Sequence, residues 1–121
     1  MNYKLIEKDI SKYIEIVSSE ALISSEKDAL EIISACYEHN AHLIMIHSEA
    51  LTDDFFKLRT GVAGEILQKF VNYKFKVALV VGSEEKIKGK FKELLAETNK
   101  GNDYRTFNDA VEAEKWLMSI K

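Results

Sequence analysis

The sequence predicts an α/β domain on a single, mostly parallel sheet of about five strands, with an N-terminal hairpin and alternating helices. Three observations carry that prediction. Short apolar, β-branched runs alternate with segments whose apolar residues recur at helical spacing, the pattern of a parallel sheet with crossovers. The first two strand-like segments instead follow one another across a three-residue turn, which calls for one antiparallel strand. The chain has 121 residues, 46% of them hydrophobic and 31% charged. That is enough for one core and too little for two full-sized domains, so 1–121 is taken as one domain.

Residues 3–8 and 13–17 are rich in aromatic and β-branched side chains, and Asp9-Ile10-Ser11 between them supplies turn chemistry. Residues 25–39 follow as a helix, with Ser25 as N-cap, Asp28 reaching back to it, and Ala29, Ile32, Ile33, Cys36 and Tyr37 on the inner face. Asn40 tolerates the left-handed conformation that ends helices. The run 42–46 reads as a strand buried on both faces. Thr52 with Asp53 and Asp54 opens a short helical turn over 52–58. A longer helix is expected over 61–72, capped by Thr60, with Val62, Ala63, Ile66, Leu67, Phe70 and Val71 inward. Residues 75–81 form the strongest strand signal and are expected in the sheet interior. A helix over 83–98, a last strand over 103–107 and a final helix capped by Asn108 complete the order β, β, α, β, α, β, α, β, α. In that final helix Ala110, Ala113, Leu117 and Ile120 face inward, with Trp116 beside them.

Composition excludes several classes. Seventeen Lys plus Arg against twenty Asp plus Glu leaves a net charge of −3, which argues against nucleic-acid binding. The single Cys36 excludes an intramolecular disulfide and a zinc ribbon. The longest central apolar run, 77–81, is far short of the roughly 20 residues a membrane span needs. Residues 1–9 lack an apolar signal core. A cytoplasmic location is expected.

Local chemistry is sparse, and no catalytic residue, metal site or cofactor is predicted. The glycines of 59–65 and 81–83 fit neither a phosphate-binding loop with Gly-Lys-Ser/Thr nor GxGxxG. His39, His42, His47 and Cys36 do not make a metal set, because His42 begins a strand that His47 ends. Cys36 lies on an apolar helix face, where a thiol is buried and inert. Asp53-Asp54 and Glu84-Glu85 sit in first helical turns, where the helix dipole explains them. Lys86, Lys88, Lys90 and Lys92 alternate with acids on a solvated face. Ligands of open α/β sheets bind beyond the carboxyl ends of the strands. Here those ends lead to His47-Ser48-Glu49, Gly82-Ser83-Glu84 and the Thr60 cap.

Segment 52–68 is therefore the expected working surface, with Phe55, Phe56, Arg59, Thr60, Gly61, Gly64, Glu65 and Gln68 as the ligand or partner face. Adjacent side chains on an α-helical turn diverge by about 100°. On that geometry one of Phe55 and Phe56 is expected to face a protein partner, a second copy of the chain or a small ligand.

Phe55-Phe56-x-Leu58-x-Thr60-Gly61-x-Ala63-Gly64-Glu65-Ile66-x-Gln68-Lys69-Phe70-x-Asn72-Tyr73 resembles the central signature of the domain of unknown function 4180 family. Glu97-x-Asn99-x-Gly101 and Ala113-x-x-Trp116-Leu117 are similar to that family's C-terminal pattern. More distantly, the ending 107–117 resembles the close of STAS and SpoIIAA-like domains, single sheets with alternating helices. In bacterial anti-sigma-factor antagonists of that class a Ser or Thr before a Gly at a helix start is phosphorylated to switch partner binding. Thr60-Gly61 occupies the comparable place and is by that resemblance a candidate phosphorylation residue. Lys57-Leu58-Arg59 leads into it where that class has Asp-Ser-Ser-Gly.

Three function classes follow. A non-enzymatic regulatory or protein-binding module is expected first, since no catalytic constellation is present. A small-molecule or lipid binder is the alternative. An enzyme would draw on His47, Glu49, Asp53 and Arg59 at the rim.

Overall fold

The computed structural model describes residues 3–9, 11–18, 22–81 and 101–120. Strands β1 (Lys4–Glu7) and β2 (Lys12–Ile16) form the hairpin, with Leu5 opposite Ile14 and Ile6 opposite Tyr13. Two backbone hydrogen bonds between Lys8 and Ser11, 2.8 and 3.4 Å, close its turn. Strands β3 (Leu43–His47), β4 (Lys76–Val80) and β5 (Tyr104–Phe107) then add in parallel, giving the order β1-β2-β3-β4-β5. β4 lies between β3 and β5, the interior place its apolar run predicts.

Alternation along the strands feeds two cores. Helices α1 (Glu26–Glu38) and α2 (Val62–Asn72) cover the face that carries Ile14, Ile16, Ile44, Ile46, Val77 and Leu79. Helix α3 (Ala110–Ser119) covers the other, over Tyr13, Leu43, Met45, Ala78 and Val80. Fully covered central strands explain why β3 and β4 read as continuous apolar runs.

Several local expectations are corrected. The short helical turn expected over 52–58 is present as 3-10 geometry, Asp53–Phe56, and a second 3-10 turn, Leu58–Thr60, follows it. The N-cap of α2 is Gly61 and that of α3 is Asp109, whose side chain accepts from the Glu112 N–H at 2.9 Å. Ser25 is the N-cap of α1 as expected, and Asp28 reaches back to it, its carboxylate accepting from the Ser25 hydroxyl at 3.4 Å and also from the Ser24 N–H at 2.8 Å. Tyr37 is 53% exposed. Its ring stands edge-on to His42 and Phe75 at the lower rim of the sheet instead of entering the core. Asn40 has φ +55°, the left-handed stop its position predicts. The helix predicted over 83–98 lies outside the described residues.

Burial has a consequence for alkaline stability. Cys36 is fully enclosed, and desolvation pushes its thiol from about 9 up to about 12. Burial and the hydrogen bond to Glu114 push the Tyr13 phenol upward as well. The unfolded chain releases both protons at ordinary values, whereas the folded chain holds them. Stability from the thiol is therefore present below pH 9 and lost at about 1.4 kcal/mol per pH unit from 9 toward 12. Urea midpoints measured at pH 8 and pH 10.5 should fall accordingly, and Cys36→Ala should flatten the slope.

Candidate functional site

The chain leaves β3 through a 3-10 turn at Ser48–Ala50 and pairs Leu51 with Ile23. It then makes the two turns that deliver it to α2. Phe55 and Phe56 are 1% and 8% exposed, their rings edge-on at 5.4 Å. Both belong to the cluster of Leu51, Ile66 and Phe70. This corrects the expectation that one of them faces outward. The turn is covered on more than one side: it lies packed against α2, and both rings enter the same core cluster.

Thr60 ties this segment together. Its Oγ1 lies 2.6 Å from the Asp54 carbonyl and 2.8 Å from the Lys57 carbonyl, to which it donates, and it accepts the Val62 N–H at 3.2 Å. The hydroxyl thus serves a helix N–H as predicted, but from one residue before the cap. The cap falls to Gly61 because the backbone there turns through φ +74°, which glycine adopts without strain. Thr60→Ala removes these bonds and should cost about 1 kcal/mol, read as a lower urea midpoint at unchanged slope.

Arg59, Thr60, Gly61, Gly64, Glu65 and Gln68 are all exposed. Of these, Gly64, Glu65 and Gln68 join Glu26, Lys69 and Asn72 around a shallow groove of about 390 Å³ between α1 and α2. A Lys69–Glu26 ion pair at 3.4 Å walls one side, and the Gln68 amide donates to Asn72 Oδ1 at 2.8 Å on the other. The φ of Gly64 lies outside the left-handed region, and a Cβ built there would meet no atom within 4 Å. Nothing among the described residues requires a glycine there. Gly64→Ala should therefore stabilise the domain by roughly 0.5–1 kcal/mol, measured by thermal melting.

A second polar pair stands on the opposite face. His47 Nε2 and Glu15 Oε2 are 2.8 Å apart, their side chains 15% and 16% exposed. Sequence reasoning placed His47 on the rim but missed Glu15. The one signal for it was a carboxylate on a strand with a buried face. Glu49, Asp53 and Arg59, the other rim residues, are exposed. Among the described residues no three His, Cys, Asp or Glu side chains converge as metal ligands would, and no helix is long and apolar enough to cross a membrane.

The family model for a domain of unknown function, DUF4180, matches residues 8–117. The chain belongs to the DUF4180 family. No curated protein matches it. The match runs from the hairpin turn through β2 and on to most of α3, so the groove on α2 and the Glu15–His47 pair both lie within the DUF4180 domain.

Proposed function

We propose that this DUF4180 domain is a non-enzymatic protein-binding module that meets its partner on the outer face of α2. The observation that carries this reading is Gly64. A glycine inside a helix costs about 1 kcal/mol relative to alanine, and here neither φ nor packing among the described residues asks for one. We read the bare backbone as room for the close approach of a partner. Arg59, Glu65 and Gln68 surround it with exposed polar groups suited to a rim.

The likeness to STAS and SpoIIAA-like domains supports a regulatory role, with Thr60 as the residue a kinase would modify. Esterifying Oγ1 would take away the proton it gives to the Asp54 and Lys57 carbonyls and loosen the turn beside Gly61. The alternative reading, a small-molecule binder, draws on a second pocket. Tyr3, Ile14, Ile16 and Ile32, with Glu31 and Glu38 at its edge, are among the residues lining about 200 Å³ between the hairpin and α1. That is below the roughly 300 Å³ where ordinary ligand sites begin, so the protein partner is the stronger reading.

A photo-crosslinking residue at Gln68, compared in native cells with one at Lys115 on α3, tests the proposal. A discrete adduct from Gln68 alone is expected, its mass distinguishing another protein from a second copy of this chain. Equal adducts from both positions, or none from Gln68, would reject it. A co-purified small molecule in a native mass spectrum would favour the alternative.

A further inference from the structure

Apart from the α2 face, we infer that the outer edge of β1 takes an extended peptide of a partner protein, one of whose lysine or arginine side chains enters the pocket between the hairpin and α1. β1 ends the sheet, and among the described residues it pairs with β2 alone. Lys8 and Ser11 exchange both backbone bonds, so they are a hydrogen-bonded pair. Such pairs alternate with open ones along an antiparallel ladder. Ile6–Tyr13 and Lys4–Glu15 therefore bond across the hairpin, while Leu5 and Glu7 turn their N–H and C=O groups outward. An edge of that kind supplies an incoming strand with main-chain hydrogen bonds.

The pocket names the side chain that comes with the strand. Leu5 lies opposite Ile14 and shares its face, where Ile14, Ile16 and Ile32 line the pocket. Glu31 and Glu38 stand at the pocket's edge, two turns apart on α1. Both are exposed, and neither forms an ion pair among the described residues. No cationic side chain lines the pocket. Apolar walls beneath two unpaired carboxylates match the methylene stem and charged head of lysine or arginine. A strand added to β1 would lie about 4.8 Å beyond it and turn every second side chain to this face. Only a long side chain passes over Leu5 from there. At about 200 Å³ the pocket is small for a free ligand, but a side chain needs less room and the edge supplies the remaining contact. A second copy of this chain fits less well, because pairing β1 with its twin about a twofold axis brings a second acidic wall to the same face.

The test uses the full chain, isotope-labelled, and a synthetic peptide of alternating lysine and threonine, a β-branched residue suited to strands. One control peptide has glutamate for lysine. The other keeps the lysines but is N-methylated along its backbone, which preserves charge and removes the main-chain donors. The lysine peptide should move the amide signals of Leu5, Glu7, Glu31 and Glu38 and slow hydrogen exchange at Leu5 and Glu7. Neither control should bind. Glu31→Gln combined with Glu38→Gln should weaken the lysine peptide about fivefold or more. The inference fails if the N-methylated or the glutamate peptide binds as well, if the shifts centre on Gly64 and Gln68, or if no peptide binds. It also fails if the double variant, still melting cooperatively, binds unchanged. Should that variant not fold, the three peptides on the parent chain decide.

Discussion

Leu79→Asp is expected to abolish folding. Leu79 is 1% exposed, sits in the interior strand β4, and packs in the core beneath α1 and α2. Losing its burial costs about 2–3 kcal/mol. An ionised carboxylate without a partner costs several more, and protonating it still leaves unpaired polar atoms in the core. The sum is comparable with the whole stability of a domain this size, about 5–15 kcal/mol. Far-ultraviolet dichroism and amide dispersion should show an unfolded chain, while Leu79→Met should lose under about 1.5 kcal/mol. A cooperative melt from Leu79→Asp would contradict the placement of β4.

Phe55→Ala is expected to cost about 3–5 kcal/mol, the range for emptying a buried aromatic site. The ring is 1% exposed and shares a cluster with Leu51, Ile66 and Phe70. Urea denaturation measures it directly. A loss under about 1 kcal/mol would show that the ring contributes to a surface and not to the core.

That pair of aromatics marks where sequence reasoning stopped. The 3.6-residue period decides which side of a regular helix is buried, and it placed Ala29, Ile32, Ile33 and Cys36 of α1 correctly. It has no hold on a 3-10 turn such as Asp53–Phe56, where what lies above and below decides the outcome. The β-branched run at 77–81 was legible because burial on both faces leaves no polar position to confuse it. Tyr37 shared the apolar spacing of α1 and still ended outside, since it falls in the last turn, beyond the edge of the sheet. Caps slipped by one residue for the same local reason. Gly61 and Asp109 took positions that Thr60 and Asn108 could equally fill by residue type.

Within the candidate site, Gly64, Glu65 and Gln68 were legible as polar or bare positions in an otherwise apolar helix. Glu26 and Lys69 were not, because their ion pair joins helices 43 positions apart. Glu15 and His47 meet across 32 positions, and no local pattern shows that β2 and β3 are neighbours.

The central claim is that Gly64 is bare for the sake of something outside the chain. The most direct test is the crosslinking yield from Gln68 in native cells, compared between the parent protein and Gly64→Leu. The account predicts that the adduct disappears while the thermal melt stays cooperative, since a Cβ at this position meets no atom within 4 Å among the described residues. An undiminished adduct in the Gly64→Leu protein would contradict it.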